Sequence, residues 1–391
     1  MHKIMKLNPI SAQGLSMFPL DKYEIGTEMT NPDAILLRSF KMHDMELPKN
    51  LLAVGRAGAG VNNIPIEKCS ERGIVVFNTP GANANAVKEL AIAGLFLASR
   101  DISEGIAFTK TLKGKGDEVP ALVEKNKGKF GGQEIIGKTL GVVGLGKIGV
   151  MVANAAVDLG MNVIGFDPFI SVESAWGLSR QVQRAIGLDS LLGGSDYVTL
   201  HAPLTDATKG MINTEKIGKM KKGIRILNFS RGGLVNNEDL AKAITNGVVA
   251  RYLTDFPDEE LLNMENVIAI PHLGASTEEA EENCATMVVK QIRDFIETGR
   301  IKNSVNFPDC KIEQTSPFRL VVMNKNIPNM VGQISTILAK ENINILEMLN
   351  KSKGDYACNI IDLATMPSED IVSKLYGIEG ILKVRLLDLV K

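Results

Sequence analysis

The sequence has little cysteine, no surplus of either charge and no long hydrophobic run. Its 4 cysteines are scattered without the spacing of metal ligands, so we expect small buried apolar side chains in a reducing, cytoplasmic setting, and no metal site. A net charge of −1 without a basic block argues against nucleic acid or an anionic membrane as a main partner. The N-terminal residues lack the apolar core of a signal peptide, and no segment reaches a membrane-spanning length.

The composition is that of a globular protein, over a length that allows several domains. Charged residues make up 23% of the chain and hydrophobic residues 45%, which is typical of soluble globular proteins. A chain of 391 residues is long enough for two or three domains, each with its own core.

A glycine-rich turn in the middle of the chain has the pattern of a dinucleotide-binding fingerprint. It follows an apolar run at 139–143 and precedes a helical pattern, after which a second apolar run ends on Asp167. Gly144 permits the tight turn, Gly146 lets the backbone approach a pyrophosphate, and Gly149 allows close helix–strand packing. We therefore predict a dinucleotide with its phosphates at the helix N-terminus. The turn reads Gly144-Leu145-Gly146-Lys147-Ile148-Gly149.

Asp167 favours NAD over NADP as the cofactor. A carboxylate at this position accepts hydrogen bonds from the adenosine ribose and repels a 2′-phosphate. Residues 168–172 offer no arginine or lysine that would neutralise such a phosphate.

Apolar runs on both sides of the fingerprint predict an α/β protein with two parallel sheets. Runs before it indicate a smaller, flavodoxin-like β/α domain, and runs after it extend a doubly wound Rossmann sheet. An apolar helix at 84–98 joins the two domains, and an amphipathic helix opened by a capping box at Ser276 returns to the first. The runs are 34–37, 51–54, 74–77, 197–200, 223–227 and 267–270.

The C-terminal residues have a different order of elements. Their pattern is strand, helix, strand, strand, helix, strand, which is the ferredoxin-like β-α-β-β-α-β arrangement. We predict a discontinuous substrate-binding domain at 1–88 and 275–304, an NAD-binding domain at 89–274, a linker at 305–316 and a tail domain at 317–391.

Three ionisable residues follow predicted strand ends, where open α/β sheets bind their ligands. Oxidation of an alcohol by NAD requires removal of the hydroxyl proton, for which His272 is the natural base. A carboxylate such as Glu260 beside it would raise its pKa and fix its tautomer. Arg231 can hold a substrate carboxylate by two hydrogen bonds and so position the hydroxyl carbon.

Several segments resemble the D-isomer-specific 2-hydroxyacid dehydrogenases. The segments 231–235 and 271–277, and Asp255 with Glu260, carry the resemblance around the ionisable residues. The segments 56–63 and 78–80 are similar to the substrate loops of that family, and 201–205 resembles its adenine-side segment. The resemblance covers essentially the whole chain, and the tail looks like an ACT regulatory domain.

The resemblance implies a role for each matching residue. His272 would be the acid/base, Glu260 its partner and Arg231 the carboxylate clamp, while Asp255 would face the nicotinamide and Arg38 would bind a substrate phosphate. The other expected cofactor contacts are His201, Ala202, Pro203, Ser230, His272 and Gly274. The other expected substrate contacts are Ser39, Arg56, Ala57, Gly58, Asn78 and His272.

Some positions depart from the family pattern. Glu259 could replace Glu260 as the partner of the histidine, because the family's glutamate precedes a proline and this one does not. Lys88 interrupts the apolar joining helix, and we expect it on an exposed face, with substrate contact as the alternative. In the tail, Asn326 and Asn344 match positions that bind serine at ACT interfaces, which leaves regulation by an amino acid open.

The resemblance implies oxidation of 3-phosphoglycerate to 3-phosphohydroxypyruvate by NAD, the first step toward serine, by a homodimer or homotetramer. An alternative is a dehydrogenase for an unphosphorylated 2-hydroxy acid such as glycerate or lactate. A second alternative is a protein that binds NAD(H) and senses redox state through partner association. Retention of Arg231, Glu260 and His272 argues against this last reading.

Overall fold

The chain folds into two compact units. The structure, a computed structural model, describes residues 1–389. The first unit comprises Met1–Asn83 and the chain from Glu278 onward, and the second comprises Ala84–Thr277. The predicted substrate-binding and tail domains thus share one unit. In the described part of the chain, no helix combines the length and apolarity needed to cross a bilayer.

A five-stranded parallel sheet forms the N-terminal part of the first unit. Its strands are β1(His2–Lys6), β2(Tyr23–Gly26), β3(Ala34–Leu37), β4(Ala53–Arg56) and β5(Val75–Phe77), and its short helices are α1(Ala12–Leu15) and α2(Ile66–Glu71). The strand order β2-β1-β3-β4-β5 is the flavodoxin-like order, which confirms the predicted fold. The first two strands had no sequence signal, because charged residues leave them no apolar run.

A seven-stranded parallel sheet forms the core of the second unit. Its order is β12-β11-β10-β9-β6-β7-β8, which confirms the predicted Rossmann topology. Its strands are β6(Thr139–Val143), β7(Asn162–Phe166), β8(Gln183–Arg184), β9(Tyr197–Leu200), β10(Ile224–Asn228), β11(Val249–Thr254) and β12(Val267–Ala269). Its helices are α3(Ala84–Ser99), α4(Ile102–Thr111), α5(Val119–Asn126), α6(Lys147–Asp158), α7(Val172–Gly177), α8(Leu188–Gly194), α9(Thr214–Ile217), α10(Asn237–Thr245) and α11(Glu259–Leu262), with 3₁₀ turns at Gly116–Glu118 and Lys127–Phe130.

The rest of the first unit consists of a long helix and an antiparallel sheet. The elements are α12(Glu278–Thr298), β13(Phe318–Lys325), α13(Met330–Lys340), β14(Ile345–Lys353), β15(Tyr356–Leu363), α14(Glu369–Tyr376) and β16(Ile381–Asp388). The sheet order β14-β15-β13-β16, with every pairing antiparallel, confirms the predicted ferredoxin-like arrangement. One face of this sheet is covered by α13 and α14.

The other face of the antiparallel sheet packs into the core of the five-stranded sheet. Val321 and Met323 of β13 belong to the same buried cluster as Ile4 of β1 and Phe295 of α12. Residues of the segment predicted as a linker are buried there as well, including Phe307. The tail is therefore part of the core of the first unit.

Helix α12 connects these parts of the first unit. It begins at Glu278, later than the predicted capping box at Ser276 implied. Its predicted apolar face is buried except for Met287. The helix ends before Gly299, whose φ of +74° is a left-handed conformation that favours glycine. A Cβ at Gly299 would also come within 2.3 Å of Val321 on β13.

Candidate active site

The predicted site residues of the second unit follow the carboxyl ends of neighbouring strands in its parallel sheet. In spatial order, they are His272 after β12, Asp255 after β11, Arg231 after β10, His201 after β9 and the glycine turn after β6. The chain reverses the direction of sheet growth between β6 and β9, which is the switch point where open α/β sheets bind ligands.

The glycine turn has the shape that a pyrophosphate requires. Gly144 has a φ of +91°, and a Cβ there would lie 2.7 Å from the carbonyl oxygen of His201. A Cβ at Gly149 would come within 1.9 Å of the Gly144 carbonyl oxygen, so only glycine allows this packing. A Cβ at Gly146 would meet no heavy atom within 4 Å. Open space therefore lies at the N-terminus of α6, where backbone N–H groups favour phosphate oxygens.

The backbone of the fingerprint orients the Asp167 carboxylate. Its Oδ2 accepts a hydrogen bond from the Leu145 N–H at 2.8 Å, and its Oδ1 accepts one from the Phe169 N–H at 2.8 Å. A carboxylate has about four acceptor positions, so capacity remains for ribose hydroxyls. This arrangement fits the adenosine end of NAD.

His201 is a neutral imidazole in which one ring nitrogen has no hydrogen-bond partner among the described residues. Desolvation of the ring lowers the pKa of His201 to about 4. Its Nε2 lies 3.0 Å from Oγ1 of Thr199, whereas its buried Nδ1 has no hydrogen-bond partner among the described residues. The following residue is fixed by Ser230, whose hydroxyl donates to the Ala202 carbonyl at 2.6 Å. An unpaired polar atom beside the switch point fits a polar group of a bound nucleotide.

Asp255 is a buried carboxylate that two cationic groups approach. Its side chain is 1% exposed, and neither carboxylate oxygen has a hydrogen-bond partner in the described part of the chain. Desolvation raises the pKa of Asp255, whereas His272, the backbone N–H groups of Gly274 and Asp255, and Arg231 act in the opposite direction. Both cationic side chains therefore lie within electrostatic range of one carboxylate. Arg231 is anchored by a hydrogen bond from its Nη1 to the Ser230 carbonyl at 2.6 Å.

The imidazole of His272 is exposed at the sheet edge and packs on one aromatic ring. Its ring centroid lies 4.6 Å from that of Phe256, with the planes tilted by 51°. Gly274, two residues further on, lies against the buried carboxylate, because a Cβ there would be in van der Waals contact with Oδ2 of Asp255 at 3.4 Å. Phe256 was not predicted as a site residue, since one phenylalanine after a strand has no distinguishing pattern.

The structure does not bring Glu260 or Glu259 to His272. Oε2 of Glu260 accepts a hydrogen bond from Nδ2 of Asn237 at 3.0 Å, and Oε1 of Glu259 accepts one from Nδ2 of Asn263 at 3.2 Å. Among residues 1–389, no hydrogen bond or ion pair within 4.0 Å joins the imidazole to either glutamate. The carboxylate within electrostatic range of His272 is Asp255, so the pairing with Glu260 stays a prediction.

The predicted substrate residues of the first unit cluster around the loop after β3. Nη1 of Arg38 lies 2.5 Å from Oε1 of Glu281 on α12. Nε of Arg56 donates to the Arg38 carbonyl at 3.0 Å, and its guanidinium lies next to Gly58. Nδ2 of Asn78 donates to the Ala59 carbonyl at 2.6 Å. Ser39 and Ala57 flank the same loop and strand end.

Asn8 holds this loop in place, a role that no sequence pattern indicates. Its Oδ1 accepts hydrogen bonds from three successive backbone N–H groups, at 3.1, 3.1 and 2.8 Å. The donors belong to Arg38, Ser39 and Phe40. Because the partners are about thirty positions apart along the chain, no local pattern could have revealed the contact.

The two asparagines proposed for the tail lie at opposite ends of the antiparallel sheet. Asn326 follows β13, and its Nδ2 donates to the Gly354 carbonyl at the β14–β15 turn. Asn344 precedes β14, and its carbonyl accepts from Ala364 beyond the far end of β15. One tail therefore does not bring them to a single ligand, and their role stays a prediction.

Lys88 lies on a partly covered face of α3. The side chain of Lys88 is 22% exposed, less than expected for an exposed helix face, and its Nζ lies 3.7 Å from the Glu89 carboxylate. Within residues 1–389, no group of three or more histidine, cysteine, aspartate or glutamate side chains could hold a metal ion.

Comparisons with known proteins identify the family. The D-isomer specific 2-hydroxyacid dehydrogenase, NAD binding domain model matches residues 93–274. D-3-phosphoglycerate dehydrogenase of Mycobacterium bovis is 31% identical over 379 residues, which cover 92% of this chain and 69% of the relative. The chain therefore belongs to the D-isomer-specific 2-hydroxyacid dehydrogenase family, and residues 93–274 are its NAD-binding domain.

Two other relatives show the extent of the similarity. D-3-phosphoglycerate dehydrogenase of Methanocaldococcus jannaschii is 34% identical over 342 residues, covering 84% of this chain and 62% of the relative. NAD⁺-bound 3-phosphoglycerate dehydrogenase of Entamoeba histolytica is 27% identical with a TM-score of 0.61, covering 78% of this chain and 98% of that structure. The chain thus spans less than two thirds of the length of most curated relatives that it matches.

Proposed function

We propose that this chain oxidises 3-phosphoglycerate to 3-phosphohydroxypyruvate with NAD, the first step toward L-serine. The observation that carries the proposal is the position of His272, Asp255 and Arg231 after the carboxyl ends of three neighbouring strands of the NAD-binding sheet. The similarity to D-3-phosphoglycerate dehydrogenases over most of the chain supports the choice of substrate.

The chemistry follows from the charges at this edge. Arg231 holds the substrate carboxylate by two parallel hydrogen bonds and thereby fixes the neighbouring hydroxyl carbon. The imidazole of His272 accepts the hydroxyl proton, and Asp255 favours the imidazolium that forms. NAD, when bound, would supply the acceptor for the hydride from the same carbon, so the alcohol loses one hydride (a proton with two electrons) and, to His272, its hydroxyl proton.

Arg38 is the proposed partner of the substrate phosphate. Its loop is held by Asn8 and by Arg56, so its backbone is fixed before substrate binds. A guanidinium matches the geometry of a phosphate with paired N–H donors. Because the Glu281 carboxylate now occupies the Arg38 guanidinium, the phosphate must displace it.

A substrate panel tests the proposal. Purified protein with NAD⁺ is given 3-phosphoglycerate, D-glycerate or D-lactate, and NADH formation is followed by absorbance. We expect 3-phosphoglycerate to give the highest kcat/KM. Arg38→Ala should lower kcat/KM for it about tenfold to a hundredfold, by loss of charge-assisted hydrogen bonds, while sparing D-glycerate.

Lys41→Ala is the matched control, because Lys41 is an exposed cation of the same loop region. Its kcat/KM should equal that of the wild type. Faster turnover of glycerate or lactate than of 3-phosphoglycerate would refute the substrate assignment.

The ion pair of Arg38 supports a second candidate, a dehydrogenase of unphosphorylated 2-hydroxy acids. With Oε1 of Glu281 at 2.5 Å, the guanidinium is already neutralised and needs no phosphate. In that case Arg38→Ala would change kcat/KM for 3-phosphoglycerate and glycerate equally.

Homo-oligomerisation and a cytoplasmic location belong to the same proposal. The exposed apolar side chain of Ile106 on α4, at 52% exposure, supports an interface through the NAD-binding domain. The free, buried thiols of all four cysteines support a reducing compartment. Light scattering at micromolar concentration should give the mass of a dimer or a tetramer. The mass of a monomer would exclude homo-oligomerisation.

A further inference from the structure

A cavity with both polar and apolar lining lies along α12, within the first unit. Its volume is about 560 Å³, and it is lined by one side of the helix, by the loop at Gly81 and by Lys302 after the helix end. Helix residues at Asn283, Thr286 and Lys290 line it as well. None of the predicted catalytic or substrate residues belongs to the lining, so this cavity is a separate feature.

The clearest sign of a ligand is an unpaired amide in the wall. Gln291 lines the cavity and is 8% exposed, and neither its Nε2 nor its Oε1 has a hydrogen-bond partner among the described residues. Leaving a buried donor or acceptor unpaired costs about 1–3 kcal/mol. A glutamine so placed, on an otherwise apolar buried face of α12, calls for a partner from outside the chain.

The charged side chains that line the cavity indicate the sign of the charge that a ligand would carry. Lys290 and Lys302 both line the cavity, and the described residues give neither of them an ion pair. Asp294 also lines it, but its Oδ1 already accepts from Oγ1 of Thr298 at 3.1 Å and lies 3.9 Å from Nη1 of Arg300. The uncompensated charge is therefore positive.

We propose that this cavity binds a small organic anion that carries a carboxylate or phosphate. Lys290 and Lys302 would hold the anionic group, and the amide of Gln291 would bind a hydroxyl or carbonyl on the same molecule. The volume falls in the range of about 300–1,000 Å³ that is typical of small-molecule sites. A single inorganic ion would leave most of the cavity empty and the amide of Gln291 without a hydrogen-bond partner.

Lysine acetylation tests the site without a variant. The full chain is treated with acetic anhydride alone, with citrate or with glucose 6-phosphate, and the modified lysines are identified by mass spectrometry. At least one anion should protect Lys290 and Lys302, while exposed Lys340 on α13 reacts as before. Absence of protection with both anions, or protection confined to other lysines, would refute the site.

Variants then test the roles of the side chains. Calorimetric titration of the protective anion should show at least about tenfold weaker binding to Lys290→Met/Lys302→Met and to Gln291→Leu, since each removes polar contacts. Lys340→Met is the matched control and should bind like the wild type. Unchanged affinity in both the double variant and Gln291→Leu would overturn the proposal. So would a wild-type protein that shows no binding of either anion, because its cavity would then hold water only.

Discussion

Asp255 is placed to take part in catalysis, and its buried charge lowers the stability of the folded protein. It is buried without a hydrogen-bond partner in the described part of the chain, and its field acts on His272 and Arg231. Buried, unsatisfied charges persist where the surroundings hold them for a function. Removing the Asp255 charge should therefore raise the stability of the protein and lower its turnover.

Asp255→Asn should stabilise the protein and impair catalysis. Because desolvation raises the pKa of Asp255 in the folded state, the folded protein binds this proton more tightly, and stability falls as pH rises from the unfolded pKa through the folded pKa. Above that window the wild type bears the whole penalty, so the free energy of unfolding of the variant should be higher by about 1–3 kcal/mol. Below the unfolded pKa the difference should vanish.

Denaturant unfolding at about pH 7 and about pH 3.5 measures this difference, around the ordinary carboxyl pKa of about 3.9. The exposed Asp21→Asn substitution is the control and should change neither value. An Asp255→Asn protein that is less stable than the wild type at neutral pH would contradict the assignment of a desolvated charge.

Glu281→Gln should improve the binding of a phosphorylated substrate. The Arg38–Glu281 pair is partly exposed, with 37% and 45% of the two side chains accessible, and such pairs contribute about 0.2–1 kcal/mol. Releasing Arg38 from this competitor should therefore lower KM for 3-phosphoglycerate about twofold to fivefold and leave kcat unchanged.

The neighbouring Glu279→Gln is the control, because it removes the same charge from the first turn of α12 without a contact to Arg38 in the ion pairs described. A KM that rises or stays constant in Glu281→Gln would show that this carboxylate does not compete with the phosphate.

At the residue scale, the sequence indicates candidate groups where they lie in short segments, and the roles of these groups stay predictions. The glycine turn, Asp167 and the residues after strand ends are read from short segments, and the structure places them along one sheet edge. Asn8 and Glu281 could not be found this way, because each contacts the Arg38 loop from a distant part of the chain.

At the scale of elements, two arginines of the tail bind the last turn of α12. Arg385 donates to the carbonyls of Phe295 and Ile296 at 2.9 and 2.7 Å, and Arg319 donates to that of Thr298 at 3.0 Å. The last carbonyls of a helix lack intrahelical partners, although that of Phe295 also accepts from the Gly299 N–H at 2.9 Å. The tail therefore pairs the helix end and places positive charge at its negative pole. Arg319 also forms a fully buried, two-point ion pair with Asp362.

Arg319→Met should destabilise the first unit severely. The substitution leaves the Asp362 carboxylate buried and uncompensated, which costs about 3–5 kcal/mol. Thermal and denaturant unfolding measure the loss, and Arg319→Met/Asp362→Leu should recover part of it. Lys374→Met, which removes only exposed ion pairs to Glu341 and Asp370, should cost about 1 kcal/mol or less. Equal losses in the two single variants would refute the role of the buried pair.

Elements with long or repeated apolar patterns were predictable, and short ones were not. β3 and β9 begin and end where the apolar runs predict. β1 and β2 have one or two apolar residues between charged neighbours, so only their pairing with β3 and with each other defines them.

At the scale of the whole molecule, the tail behaves as part of the core of the first unit. Val321, Met323, Cys358 and Ile360 of the antiparallel sheet lie in one cluster with the five-stranded sheet. The β-α-β-β-α-β pattern predicted the fold of the tail, but a pattern within one segment cannot show what its outer face packs against.

Ending the chain after residue 316 should therefore destabilise the first unit. The truncation would expose Phe295 and Phe307 and remove both arginines from the end of α12. We expect a loss of cooperative unfolding of this unit and binding of a hydrophobic dye, with recovery when residues 317–391 are supplied as a separate chain. A truncated protein that unfolds like the full chain would show that the tail is independent of this core.

The most direct test of the proposed function is the substitution His272→Asn, with NADH formation from NAD⁺ and 3-phosphoglycerate measured beside NADH binding by fluorescence. We expect kcat to fall about a hundredfold to ten-thousandfold through loss of the proton acceptor, while the affinity for NADH is retained. Undiminished turnover in the variant would contradict the assignment of His272 as the base.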